Sequence, residues 1–216
     1  MIPKIIHFVW VGSAKGSYPL PAYASRNKEA WEKAQSDYKV MFWDEGNLPC
    51  LAPEQEAAYR GARNAGESSD VIRHNLLRHY GGYSMDMDIA PARGMIINPL
   101  NCLAAEFAAF EQAAGREASA LMLSDGSRVL GSAPQAPLIT ELCCRLPLVI
   151  AEAREKHPDL RVAFTGWHLI QKVFKDGFGA GETLTLPGRY FPTAGRETPA
   201  AIGIHDFAAE WVKQIA

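Results

Sequence analysis

SDVIRHNLLRHYGGYSMDMD, residues 69–88, decides how this chain is read. The spacing predicts a helix over 69–80, capped by Ser68 or Ser69 and ended by Gly81-Gly82. A short strand, Tyr83–Met87, follows and carries Asp86-Met87-Asp88 at its end. Side chains alternate faces along a strand, so two carboxylates one residue apart there point the same way. Such neighbours repel unless a hard cation sits beside them. A lone Asp-x-Asp also occurs as two solvated acids at a turn. Here the preceding double glycine, and Met85, Met87 and Ile89 as an alternate buried face, favour a divalent-metal site that holds the phosphates of an activated substrate.

The same alternation of element types extends outward. Ile5–Val11 is a nearly continuous apolar run, as expected of a strand buried on both faces of a parallel sheet. A loop at Pro19 and Pro21 and a helix through Trp31 and Ala34 lead to a second strand, Tyr38–Trp43. Helices are expected over Pro53–Arg63, Pro137–Lys156 (kinked or divided at Pro147) and Thr165–Phe174. Short strands are expected at Phe107–Phe110, Ala120–Leu123, Arg128–Gly131 and within Thr183–Phe191. The tail AAIGIHDFAAEWVKQIA reads as a short strand entering a helix or lid. This order predicts one α/β domain over residues 1–216, with a mostly parallel central sheet flanked by helices. In open sheets of that kind the ligand sits at the carboxyl ends of the strands, where the acidic pair falls.

Composition narrows the function classes. The chain has 216 residues, 22 basic against 24 acidic, and a formal net charge of -2. That balance disfavours nucleic acid or an anionic membrane as main partner. The four cysteines, Cys50, Cys102, Cys143 and Cys144, lack zinc spacing and are read as small buried thiols in a reducing compartment. No stretch approaches the roughly 20 apolar residues of a spanning helix, and the apolar start lacks a cleavage site. The expectation is a cytoplasmic protein with at most peripheral membrane association.

Further candidates surround the acidic pair. Asp70 and Arg73 share one helix face. They form either a surface ion pair or a site in which Asp70 accepts from a sugar hydroxyl and Arg73 presents a fixed fork to an oxygen. Trp10, at the end of the first strand, is either a core tryptophan or a wall on which a base stacks. His7 reads as a packed core histidine. In the tail, His205 and Asp206 either complete a metal shell or cap the last helix. Oxygen-only ligands suit Mn²⁺ or Mg²⁺.

IPKIIHFVWVG at the start, SDVIRHNLLRHYGGYSMDMD in the middle and the late His…Trp tail resemble the DXD-containing sugar-transferase family. This is glycosyltransferase family 32, with bacterial capsule and surface-polysaccharide transferases, yeast mannosyltransferases and, more distantly, the glucosyltransferase domains of clostridial toxins. The resemblance implies a GT-A-like fold, a nucleotide-sugar donor, a saccharide or other hydroxyl acceptor, a Mn²⁺ or Mg²⁺ ion and retention at the anomeric carbon. It implies that Trp10 stacks on the donor base and that Asp70 and Arg73 hold the donor sugar. Asp86 would bind ribose or sugar and Asp88 the metal. His205 or Asp206 would approach the metal, and Trp211 the diphosphate. Asp86, Asp88 and Arg73 are thus the catalytic candidates. Ala209 stands where relatives often have serine, and Tyr83-Ser84 where many have an aliphatic-Tyr pair. The chain is short for the group, which implies reduced acceptor-binding elements. Two rival readings are a metal-dependent phosphoesterase, which needs more converging acids than one pair, and a donor-binding protein without turnover.

Overall fold

The β-branched and aromatic run at the N-terminus forms the strand beside which the site assembles, in a computed structural model that describes residues 1–12, 19–92, 99–124, 126–156, 165–192, 194 and 201–205. β1 (Ile5–Val9) lies between β2 (Lys39–Trp43) and β3 (Gly82–Met85), parallel to both. The sheet continues through β6 (Gly126–Ser132) and β5 (Ala120–Leu123) to β7 (Thr183–Leu186), in the order β2-β1-β3-β6-β5-β7. Only β6 runs against the others. A separate two-stranded ribbon joins β4 (Ile89–Pro91) to β8 (Gly203–His205), antiparallel.

Alternation along the strands sends buried side chains to both faces of the sheet. Ile6, Phe8, Tyr83, Met85, Leu121, Leu123, Leu184 and Leu186 share one cluster with Ala24 and Trp31 of α1 (Ala22–Ala34). On the other face Ala120, Met122 and Leu130 pack with α2 (Pro53–Arg60), α3 (Ala65–Tyr80), α5 (Pro137–Lys156) and α6 (Trp167–Lys175). Both faces are therefore covered, which explains why these strands read as apolar runs.

Several expectations are corrected. Phe107 and Phe110, expected in a strand, lie in α4 (Ala104–Ala114). Its AAEFAAFEQAA sequence is rich in strong helix formers, the two rings sit three apart on one face, and Gly115 ends it with φ 67°. α3 begins at Ala65, not Ser69: Asn64 Oδ1 accepts from Glu67 N, and Glu67 Oε2 accepts from Arg63 N. Those two bonds satisfy amide donors that a later start would strand. α5 runs as one helix through Pro147. Of the thiols, Cys143 is buried, which pushes it up to about 12, whereas Cys50 and Cys144 are exposed.

The Gly81-Gly82 turn is sterically obligatory. Gly82 adopts φ +93°, and a Cβ there would stand 2.6 Å from Ile5 O. At Gly81, with φ +64°, a Cβ would meet Pro134, Pro3 and Ser132 O within 2.8 Å. Only glycines let α3 reverse into β3 this close to β1.

Candidate functional site

β3 ends at Met85, and the acidic pair occupies a turn, not the strand: Ile89 N–H donates to Asp86 O at 3.1 Å. Period-two alternation therefore does not set the directions of Asp86 and Asp88, contrary to the sequence argument. Asp86 N–H still donates to Arg128 O (3.0 Å), extending the pairing of β3 with β6 by one rung. The turn lies at the carboxyl end of β3, in line with the ends of β1 and β2. Asp88 is only 8% exposed, while the Asp86 side chain keeps 29% of its surface.

Arg73 reaches this turn from α3. Its Nη1 lies 2.6 Å from Asp86 Oδ1, its Nε donates to Ser84 Oγ at 2.8 Å, and its Nη2 to Arg128 O at 3.4 Å. The guanidinium side chain is 11% exposed and that of Asp86 29%, so this is a part-buried ion pair. The fork gives it a fixed geometry that an ammonium would lack. Ser84, at the position flagged for its missing tyrosine, is fully buried and serves as an anchor for Arg73.

Asp70 sits one helical turn before Arg73. Its Oδ2 accepts from Thr165 Oγ1 at 2.7 Å. Although the residue keeps part of its surface, its carboxyl is packed away from water, which pushes it up to about 6 against the pull of Arg73 and the Thr165 bond. Thr165, buried just before α6, carried no sequence signal for this role. Trp10 is half-buried beside the first core cluster, and its N–H donates to Trp43 O at 2.9 Å, beyond the last rung of β1 and β2.

Helix α1 supplies contacts that sequence reading missed. Asn27 Nδ2 donates to Met87 O (3.0 Å) and Trp31 Nε1 to Ile89 O (2.9 Å). Both residues are buried. The available signal was an asparagine on the apolar face of an amphipathic helix, four residues before a tryptophan: a buried amide needs partners.

Of the tail candidates, the structure describes the backbone of His205, which pairs with Ile89, the residue after Asp88. β8 thus runs towards the acidic turn. Asp206, Ala209 and Trp211 lie outside the described residues. No group of three metal-ligating side chains occurs among the described residues. The two aspartates are hard oxygen donors of the kind that Mn²⁺ or Mg²⁺ takes, with further ligands drawn from water or a bound phosphate.

His7 is a core residue. Trp43 Nε1 donates to its Nδ1 (3.0 Å), and its Nε2 therefore carries hydrogen and donates to Gly81 O at 2.8 Å. Burial lowers it to about 4, and lowers His74 on α3 to about 3, with the Arg73 charge adding to the latter. Both histidines are protonated more readily in the unfolded chain, so their contribution is complete above pH 6.5 and is lost as pH falls from 6.5 towards 4. Asp70 has the opposite sign: its raised value costs stability above pH 6, and that cost disappears as pH falls to 3.8. Two histidines outweigh one carboxyl. Urea unfolding should thus show a net loss of stability between pH 7 and pH 4. Ring signals in NMR spectra should show His7 and His74 neutral at pH 5.5; protonated rings at that pH would refute the assignment.

Residues 21–106 match the family model described as "Glycosyltransferase sugar-binding region containing DXD motif". An uncharacterized glycosyltransferase, L373, of Acanthamoeba polyphaga mimivirus is 28% identical over 94 residues, which are 41% of this chain and 36% of that protein's length. Among solved structures, the ligand-free glycosyltransferase domain of the YGT toxin superposes with TM-score 0.58 at 10% identity, over 85% of this chain and 79% of its own. PaToxG glycosyltransferase gives 0.56 at 12% identity, over 81% and 69%. A glycosyltransferase involved in glycosylation of the major capsid of PBCV-1 gives 0.50 at 12% identity, over 98% and 97%. Identities this low establish a shared fold. Residues 21–106, which contain Arg73 and the acidic turn, thus resemble the sugar-binding region of the DXD-containing glycosyltransferases, and the chain shares the α/β fold of the matched glycosyltransferase structures.

Proposed function

We propose that this chain is a metal-dependent, retaining glycosyltransferase that moves a sugar from a nucleotide-sugar donor to a hydroxyl acceptor. The observation that carries the reading is the Arg73–Asp86 ion pair beside a buried Asp88, in a turn at the carboxyl end of the central strands. In this reading Asp88 is the metal ligand, and His205 or Asp206 completes the shell, as the direction of β8 suggests. Trp10 stacks on the base, Asp70 and Asp86 accept from sugar or ribose hydroxyls, and Trp211 meets the diphosphate. A bound Mn²⁺ or Mg²⁺ would neutralise charge that develops on the diphosphate.

Arg73 presents guanidinium hydrogens towards the same charge. The acceptor oxygen forms the new bond to the anomeric carbon from the face the diphosphate leaves. The C1–O bond breaks with its electron pair going to the diphosphate, and the acceptor proton passes to a diphosphate oxygen. No described residue is needed as a covalent nucleophile. The acceptor is a saccharide or glycoconjugate hydroxyl, as in bacterial surface-polysaccharide synthesis, and the setting is cytoplasmic. No helix among the described residues is long and apolar enough to cross a membrane.

Isothermal titration of UDP and GDP tests this reading. One of the two should bind at least tenfold more tightly with Mn²⁺ than with EDTA. Equal affinity with and without metal, for both nucleotides, would overturn metal dependence.

A further inference from the structure

Helix α1 grips the acidic turn on both sides of Asp88. Met87 O, immediately before Asp88, accepts from Asn27 Nδ2, and Ile89 O, immediately after it, accepts from Trp31 Nε1. The two donors sit four residues apart, on one face of α1, one turn above the other. Trp31 is fully buried and Asn27 is 3% exposed, so neither amide nor indole is there to meet solvent. Both could have been replaced by apolar side chains of similar shape, and burying them is favourable only because they meet these carbonyls. A third bond, Ile89 N–H to Asp86 O, closes the turn, and β8 pairs along Ile89. The backbone around Asp88 is therefore held from α1, from within the turn and from β8.

We infer that Asn27 and Trp31 are positioning residues for Asp88: they hold its backbone in the geometry that a divalent cation requires, and so set the affinity of the site. The inference rests on the metal-dependent reading proposed above. Its physical basis is preorganisation. A carboxylate whose backbone is already fixed loses little freedom on meeting a cation, whereas a mobile turn must be ordered when the cation binds. Partners bonded directly to a ligating side chain change metal affinity by about 10–100-fold when removed, and anchors of the adjacent backbone act at the lower end of that range.

The test uses Asn27→Leu and Trp31→Phe, which remove the two donors; the first also removes the amide oxygen and the second leaves a smaller ring in a buried position. Free Mn²⁺ is measured by its EPR signal in titrations of the full chain with Mn²⁺ and inorganic pyrophosphate, at a temperature where circular dichroism shows each variant folded. Each variant should weaken Mn²⁺ about tenfold. In an Asp88→Asn background neither should change the residual Mn²⁺ affinity, because their effect passes through Asp88. Leu146→Ala, in the core of α5 and on the opposite side of the sheet, lowers stability but should leave Mn²⁺ affinity unchanged.

Three outcomes would overturn the inference: unchanged affinity in both donor variants, equal weakening in Leu146→Ala, or an undiminished effect in the Asp88→Asn background. Wild-type protein that binds no Mn²⁺ with pyrophosphate would remove the metal reading itself, and this inference with it. If Asn27→Leu does not fold, Trp31→Phe alone decides.

Discussion

Asp88→Asn should lower sugar transfer or donor hydrolysis by at least about 10³-fold, and should eliminate the gain in diphosphate affinity that Mn²⁺ provides. The substitution is nearly isosteric and replaces an anionic oxygen donor with an amide. The residue is 8% exposed, at a turn whose backbone is held by three bonds: Ile89 N–H to Asp86 O, Asn27 Nδ2 to Met87 O and Trp31 Nε1 to Ile89 O. The fold should accordingly survive. A buried carboxylate also carries a desolvation cost that the amide avoids. The melting temperature should therefore change far less than activity does. That dissociation of stability from activity is what separates a ligand from a structural acid. Turnover within tenfold of wild type, in a variant that melts normally, would remove Asp88 from the metal site.

Much of this arrangement was legible in the sequence because it depends on local patterns. Gly81-Gly82 could be read as a reversal because few other residues can adopt φ +64° and +93° with backbone 2.6–2.8 Å away. β1 was readable as an apolar run because both of its faces are covered, whereas β2, at the sheet edge, is mostly half-buried. Asp70, Arg73, Asp86 and Asp88 stood out as candidates because two short-range spacings, three along a helix and two across the Met87 turn, bring together residue types with an evident common chemistry.

What failed to show did so for physical reasons. The turn at Asp86–Ile89 is set by β6 and by α1, which approach from 42 and about 60 residues away in sequence. No pattern within the motif could therefore reveal that the pair leaves the strand. Phe107 and Phe110 suggested a strand by their aromaticity, but the alanines around them decide the local conformation and the rings need only one helix face. The α3 start at Ala65 depends on Asn64 and Glu67, a cap three residues long that the nearer Ser68 and Ser69 obscured. Thr165 meets Asp70 from 95 residues further along the chain, and a threonine after a loop has no distinguishing mark.

Arg73→Met should damage both stability and activity, and Arg73→Lys should separate the two. Three acceptors depend on this guanidinium: Asp86 Oδ1 at 2.6 Å, Ser84 Oγ at 2.8 Å and Arg128 O at 3.4 Å. Removing it leaves the Asp86 carboxylate facing a site already containing Asp88, and leaves the fully buried Ser84 hydroxyl short of one partner. Deleting the charged donor of this part-buried pair costs about 2 kcal/mol, since the carboxylate loses a charge-assisted hydrogen bond. The urea midpoint of Arg73→Met should fall accordingly. Lysine restores the charge but offers one compact ammonium on a flexible stem, which cannot reach the strand hydroxyl, the carboxylate and the carbonyl together. Arg73→Lys should thus recover most of the stability and still lose at least about 100-fold in turnover, because a donor that is not held in place contributes little to a developing charge. Equal activity in Arg73→Lys and wild type would mean that only the charge matters at this position. Loss of stability without loss of turnover in Arg73→Met would make Arg73 a strut between α3 and β3, with no part in the chemistry of the acidic turn.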